Sequence, residues 1–469
     1  MTVTIASFRK EAATAVGDAH LQVALETATG HFRDGRSEAL AELPDAEALR
    51  DHLKAVRAAT IARLADHLET FERNAIAAGA HVHWARDAAE AAHTVTELAR
   101  ARGVRLATKS KSMATEEIHL NQALRAAGVE PVETDLGEWI IQLAEEPPYH
   151  IIAPAIHKTR DQVAALFAAE TGAPPADDDI ATLTAIARRE LRQRFLNAGM
   201  GISGGNLAVA ETGSIVLVTN EGNGRMVTSL PPLHVAVIGI EKVAPTWDDA
   251  AAWLSLLARS ATGQPLSIYT TVITGPAQEG DVDGPAEVHI ILLDNGRSRL
   301  LGTEYEEVLQ CIRCGACLNI CPVYREAGGH AYGSPYSGPI GAVVSPLLFG
   351  LENYPALPHA STLCGACQDV CPVRIDLPRM LLALRAEEVS HGLASPAETV
   401  MEKGAAFILA HERLLRWGRR LLALGQLPLV AGRQLQLPPN LNPAQERRLP
   451  ALAPRSFHEI WPELEDEDV

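Results

Sequence analysis

The sequence predicts a fold of class α/β plus all-α, with an α/β domain followed by a helical, cysteine-bearing module. Two observations carry this. From about residue 80 to residue 300, short runs rich in β-branched residues alternate with helical stretches, as in parallel βαβ units. Beyond that point helical segments surround all seven cysteines, which lie between Cys311 and Cys371. Three- and four-residue apolar spacing before residue 75 adds a helical lead-in. The chain therefore divides into a lead-in (1–70), an α/β domain (71–300), a cysteine module (301–392) and a helical and irregular C-terminal region (393–469).

In the lead-in, Leu49, Leu53, Val56, Ile61, Leu64, Leu68 and Phe71 recur at helical spacing. The α/β domain opens with AHVHWA as a strand, a helix over 87–102, VRLAT as a strand, a helix over about 114–127, then PVET and YHIIAPAI as further strands. A long helical stretch, 159–198, precedes a β-rich segment broken by ETG, EGNG and PP, which suits hairpins and adjacent strands. A helix over 246–260 and strands at LSIYTTVIT and EVHIILLD complete the domain. EYEEVLQ and DLPRMLLALRAEEVSHG read as helices on either side of the cysteines. The tail continues with the helical AAFILAHERLLRWGRRLLALGQ, a proline-rich irregular end and a solvated acidic terminus, ELEDEDV.

With 41 basic against 58 acidic side chains the formal charge is -17, which argues against nucleic-acid binding. No apolar signal run or 18-residue membrane segment is found, so the chain is read as cytoplasmic. In such a reducing compartment the cysteines are not a disulfide framework.

The run CIRCGACLNICP, residues 311–322, has the C-x2-C-x2-C-x3-C-P spacing of iron-sulfur ligands, and STLCGACQDVCP, residues 361–372, repeats it with Ser361 in the first position. In two-cluster proteins the fourth cysteine of each run crosses to the other cluster. Cys311, Cys314, Cys317 and Cys371 are thus expected on one [4Fe-4S] cluster, and Cys321, Cys364 and Cys367 on a second. The second then has three thiolates, and it is a [3Fe-4S] centre, a cube with Ser361 or water on the odd iron, or a cube completed from elsewhere. Structural zinc is the competing use of paired C-x2-C motifs, but its ligands do not ordinarily come as two proline-terminated runs. Gly315 and Gly365 are expected to let backbone N–H groups approach the sulfides. The 50 residues from Cys321 to Cys371 exceed the separation in a compact ferredoxin and suit a partly helical insertion, an α-helical ferredoxin module. Its His330, Tyr332 and Tyr336 read either as contacts for a partner, a quinone or a cluster edge, or as turn and packing residues.

A second candidate site lies in the α/β domain, where Thr108, Lys109, Ser110, Lys111 and Ser112 follow a strand and precede a helix, a place for an anion. Glu211, Thr212 and Gly213, with Asn220, Glu221, Asn223 and Arg225, are candidates to converge on it at the strand ends. Arg225 suits a carboxylate. His81 and His83 share one face of a strand, but without an acidic or cysteine partner nearby in sequence they read as packed or exposed residues. No G-x-G-x-x-G follows a strand, so no flavin or nicotinamide site is predicted. Arg413, Arg416, Arg419 and Arg420 beside leucines and Trp417 suit either packing or a membrane surface near quinone, at the inner face.

The two cysteine runs, with ATKSKSMATEEIHLNQAL and AETGSIVLVTNEGNGRM upstream, resemble the lactate utilisation protein B family over nearly the whole chain. The resemblance implies a lactate-utilisation (LUD) domain of NagB/RpiA-like fold, similar to ribose-phosphate isomerase and glucosamine-phosphate deaminase. It also implies two [4Fe-4S] clusters and two companion subunits that together oxidise L-lactate to pyruvate. The expected role is a non-catalytic electron-transfer subunit with no catalytic residue of its own and an acceptor not identified by the sequence. The alternative is an isomerase, deaminase or ligase acting in the α/β domain, its clusters regulatory.

Overall fold

A computed structural model describes residues 2–172, 179–394, 396–431, 434–435, 449–453 and 455–465. It forms two compact units, 1–388 and 389–469. The expected boundaries near residues 70 and 300 fall inside the first unit, where one core runs from Leu40, Leu53 and Phe71 of the lead-in to Ile312, Cys314 and Tyr324 of the cysteine module.

The centre of the first unit is a six-stranded, all-parallel sheet. Its strands are β1 (His81–Ala85), β2 (Leu106–Lys109), β3 (Glu130–Glu133), β4 (Met200–Ser203), β7 (Leu233–Gly239) and β10 (Glu287–Leu293). They pair in the order β1-β10-β7-β4-β2-β3. A parallel sheet is covered on both faces, and the period of two divides its side chains between them. Ile291 and Leu293 of β10, with Val235 and Val237 of β7, pack on helices Ala88–Ala101 and Leu120–Ala126. Val288, Ile290 and Leu292 join Ala236 and Ile238 on the other face, against the lead-in and a second sheet. That sheet has the order β8-β5-β6-β9, from β5 (Leu207–Val209), β6 (Ser214–Thr219), β8 (Val243–Ala244) and β9 (Tyr269–Ile273).

Most expected elements form, with three differences. YHIIAPAI is not a strand: Pro147 and Pro148 precede it, Pro154 interrupts it, and His150 Nδ1 instead accepts from the N–H groups of Ile152 and Ala153 at 3.0 and 3.2 Å. The helix near 114–127 is broken at His119, whose φ of 50° is left-handed. EGNG, read as a turn, starts the helix Asn223–Ser229.

In the second unit, helices Pro396–Ala410 and Glu412–Gly425 leave Phe407, Trp417, Leu421 and Leu422 exposed, while Arg419 and Arg420 pair with Glu459. Residues 436–448 of the proline-rich end and 466–469 of the acidic terminus lie outside the described residues. No described helix is long and apolar enough to cross a membrane.

Candidate metal centre

The two cysteine runs fold as structural repeats fifty residues apart. Arg313 and Leu363 are both left-handed, at φ 59° and 55°, and so are Gly315 and Gly365, at 77° and 83°. Each glycine opens a short helix, Ala316–Ile320 or Ala366–Asp369. In the first repeat Cys311 Sγ accepts from Arg313 N–H at 3.4 Å, and in the second Ser361 Oγ accepts from Leu363 N–H at 3.1 Å. The N–H groups of Ala316 and Ala366 likewise turn to Cys314 and Cys364. Ser361 therefore occupies the place of Cys311 in backbone as well as in sequence.

Packing brings the thiols into two adjoining groups. Cys314 interacts electrostatically with Cys371 and Cys311, and Cys317 with Cys314, Cys311 and Cys371. Cys321 interacts with Cys364, and Cys367 with both of these. The last cysteine of each run thus lies with the group of the other run, and Cys317 also meets Cys367. Burial, reinforced by neighbouring thiols, pushes Cys314 and Cys367 up to about 12 and Cys371 to about 11. Such a set does not hold thiolate charge unless a cationic centre compensates it. Cys364 is exposed, and the Ala366 N–H followed by Thr362 lowers its pKa.

The donor set fits iron and sulfide better than zinc. Four thiolates around one zinc at about 2.3 Å bring their sulfurs within about 3.8 Å of one another. Among the described residues, trios of ligand atoms within 4.8 Å occur at His81, Glu287 and His289 and at Glu146, His157 and His330, with no cysteine in either. The spacing of the sulfurs leaves room for a larger inorganic core. Unpartnered buried donors surround it: Nε of Arg36 and of Arg50, and the hydroxyl of Tyr332, the last beside Cys321 and Cys317.

The surroundings of the two groups differ. Arg36 lies by Cys314 and Cys371, Arg57, Lys242 and Arg313 lie by Cys311, and Arg50 donates to the carbonyl oxygens of Asp369 and Cys371 at 2.5 and 2.8 Å. For the Cys321, Cys364 and Cys367 group the resolved charged neighbour is Asp369. Sequence reasoning missed these cations. A signal was present, since Arg50, Leu53, Arg57 and Ile61 share the buried face of helix Ala46–Ala62 at spacings of three, four and four.

The anion site expected after β2 assembles only in part. Lys109 is fully buried and turned away, donating to Glu133 at 2.6 Å and Asn121 at 2.8 Å, and Arg225 is exposed on its helix. The hairpin of Glu211, Thr212 and Gly213 packs elsewhere, Glu211 accepting from Trp247 N–H at 3.0 Å. Ser110, Lys111 and Ser112 instead line a cavity of about 330 Å3 with Asn220, Glu221 and Asn223. Lys242 and Arg313 belong to the same lining. His330 and Tyr336 both make contacts from the cysteine module to the α/β domain. His330 meets the Pro147 carbonyl at 2.9 Å, and the Tyr336 hydroxyl donates to buried Glu117 at 2.5 Å. His81 stacks on His289, and tertiary pairing of β1 with β10 supplies the acidic neighbour absent nearby in sequence, Glu287, whose carboxylate Arg102 already binds.

Residues 68–293 match the LUD domain family and residues 307–375 the 4Fe-4S dicluster domain. The chain is 45% identical over 424 residues to lactate utilization protein B of an Exiguobacterium species, covering 90% of each chain. It is 44% identical to that of Macrococcus caseolyticus, covering 88% of this chain and 87% of the relative, and 41% identical to that of Bacillus cereus, covering 98% of both. A solved DUF162 family protein from Deinococcus radiodurans aligns with 49% of this chain and 98% of its own at 15% identity, with a TM-score of 0.26, too loose a likeness to inform the fold.

Proposed function

Because the chain belongs to the lactate utilization protein B family, we propose that it is an iron-sulfur electron-transfer subunit of a multi-protein system that oxidises L-lactate to pyruvate. The observation that carries this reading is the exchange of Cys321 and Cys371 between runs, which sets two thiol groups side by side. Cys311, Cys314, Cys317 and Cys371 would hold one cluster, and Cys321, Cys364 and Cys367 the second, with Ser361 at its fourth place. Clusters held there would supply storage and transfer of single electrons. The chain's own contribution is electrostatic. The arginines and Lys242 beside the first group favour the more negative, reduced state, whereas exposed Cys364 gives the second group access to solvent and partners. This asymmetry suits electron entry at the second group and residence at the first.

We read the six-stranded sheet as the ribose-phosphate isomerase-like core of the LUD domain. The exposed apolar side chains of the tail helices suit docking of two companion subunits. The test is electron paramagnetic resonance of anaerobically purified protein before and after adding L-lactate with the companion proteins. Two reducible iron-sulfur signals that appear only with the full system are expected. Zinc in place of iron and sulfide, or clusters never reduced by lactate, would refute the proposal.

A further inference from the structure

The cavity lined by Lys242 and Arg313 has a composition suited to a ligand. Its ≈330 Å3 is at the small end of ligand sites, and it opens beside the carboxyl ends of β2 and β4, where α/β sheets place their ligands. Its cations are under-used. Lys242 donates to one acceptor, the Gly205 carbonyl at 3.2 Å, leaving two of the three ammonium N–H groups without a described partner. Glu241 is the charge neighbour of both Lys242 and Arg313; Arg313 stands 3.5 Å from it through Nη2 and 4.6 Å from the centre of the Tyr336 ring, while its Nε and Nη1 have no hydrogen-bond partner. The Ser110 hydroxyl is buried and unpartnered as well.

We propose that this cavity binds a small organic carboxylate, its anionic end held by Lys242 and Arg313. Asp135 and Glu221 on the same lining disfavour a multiply charged phosphate and offer acceptors to a hydroxyl on the ligand. The rest of the lining is mixed, with Ile152 and Leu257 among its apolar members and Asn206 and Thr262 among its polar ones. Arg313 also lies by Cys311, so a ligand that engages its guanidinium alters the field at the first cysteine group. The α/β domain thus acquires a binding role that reports to the metal centre. The site is made of the chain's own side chains, so it stands or falls separately from the electron relay.

The test is calorimetric titration of the full anaerobic chain with L-lactate, pyruvate and inorganic phosphate as separate probes. Saturable binding of at least one carboxylate is expected, with a shift in the resonance spectrum of the reduced protein on saturation. Lys242→Gln should weaken binding ~10-fold or more, the effect of losing a charge-assisted hydrogen bond. Ser267→Trp, which obstructs the cavity from a surface loop and removes no buried charge, should do the same in a chain whose thermal unfolding is unchanged. No carboxylate binding, native affinity in both variants, or phosphate binding as tight as the carboxylates would overturn the proposal. Binding by protein that carries no iron would sustain the site while removing the relay.

Discussion

Replacing Arg57 with Met should loosen three parts of the first unit at once. Arg57 projects from the lead-in helix and is completely buried. Its guanidinium donates to the carbonyls of Glu241 at 2.6 Å, Leu309 at 2.8 Å, Val243 at 2.9 Å and Gln310 at 3.3 Å, and lies 4.3 Å from the centre of the Trp253 ring. Burial lowers its pKa to about 10, so it is charged at neutral pH. Met fills the volume of the stem but leaves four acceptors dry, each costing about 1–3 kcal/mol if no water enters. Some relaxation will occur, and about 3–5 kcal/mol, towards the low end of that sum, is the better guide. That cost should appear as about 10²- to 10⁴-fold faster amide exchange in the segments 46–62 and 306–311, read by mass spectrometry under native conditions. Cys311 follows directly, so iron bound per chain should fall too. Exchange within tenfold of native would refute the claim that this side chain ties the segments together.

Cys371→Ser should abolish one iron-sulfur signal and Cys321→Ser the other, and in each case the lost signal belongs to the opposite run; loss of the same-run signal would reject the crossover. Ser361→Cys should slow the loss of iron from the second centre in air, whereas a native rate of loss would show that the side chain does not face the metal. Burial by itself would raise the Glu241 carboxyl, but Arg297, Arg313 and Lys242 hold it at about 2. A lowered folded pKa stabilises the fold above the ordinary value near 4.5 and withdraws that support as pH falls towards 2. The urea midpoint should therefore drop by the equivalent of about 1 kcal/mol between pH 5.5 and 3.5, and Glu241→Gln should lack that part of the drop.

The sequence by itself determined what short-range chemistry can specify. The ligand type follows from the spacing of Cys311, Cys314 and Cys317, because a single loop must wrap one centre. The parallel sheet follows from alternation of β-branched runs with helical ones. Even Ser361 was legible as the odd member of a repeat, since the two runs share CGAC and CP at the same spacing. Tertiary structure decided what depends on segments far apart in the chain. Arg50 and Arg57 reach carbonyls some two to three hundred residues away, and local periodicity marks only that they lie on a buried face. Lys109 looked like an anion ligand until Glu133 and Asn121 were folded against it, and Arg313, which sequence reasoning passed over inside C-I-R-C, lines a cavity only in the folded chain. A charge declares its partner only when distant backbone and side chains close around it, because electrostatic contacts depend on separation in space and leave no spacing rule along the chain.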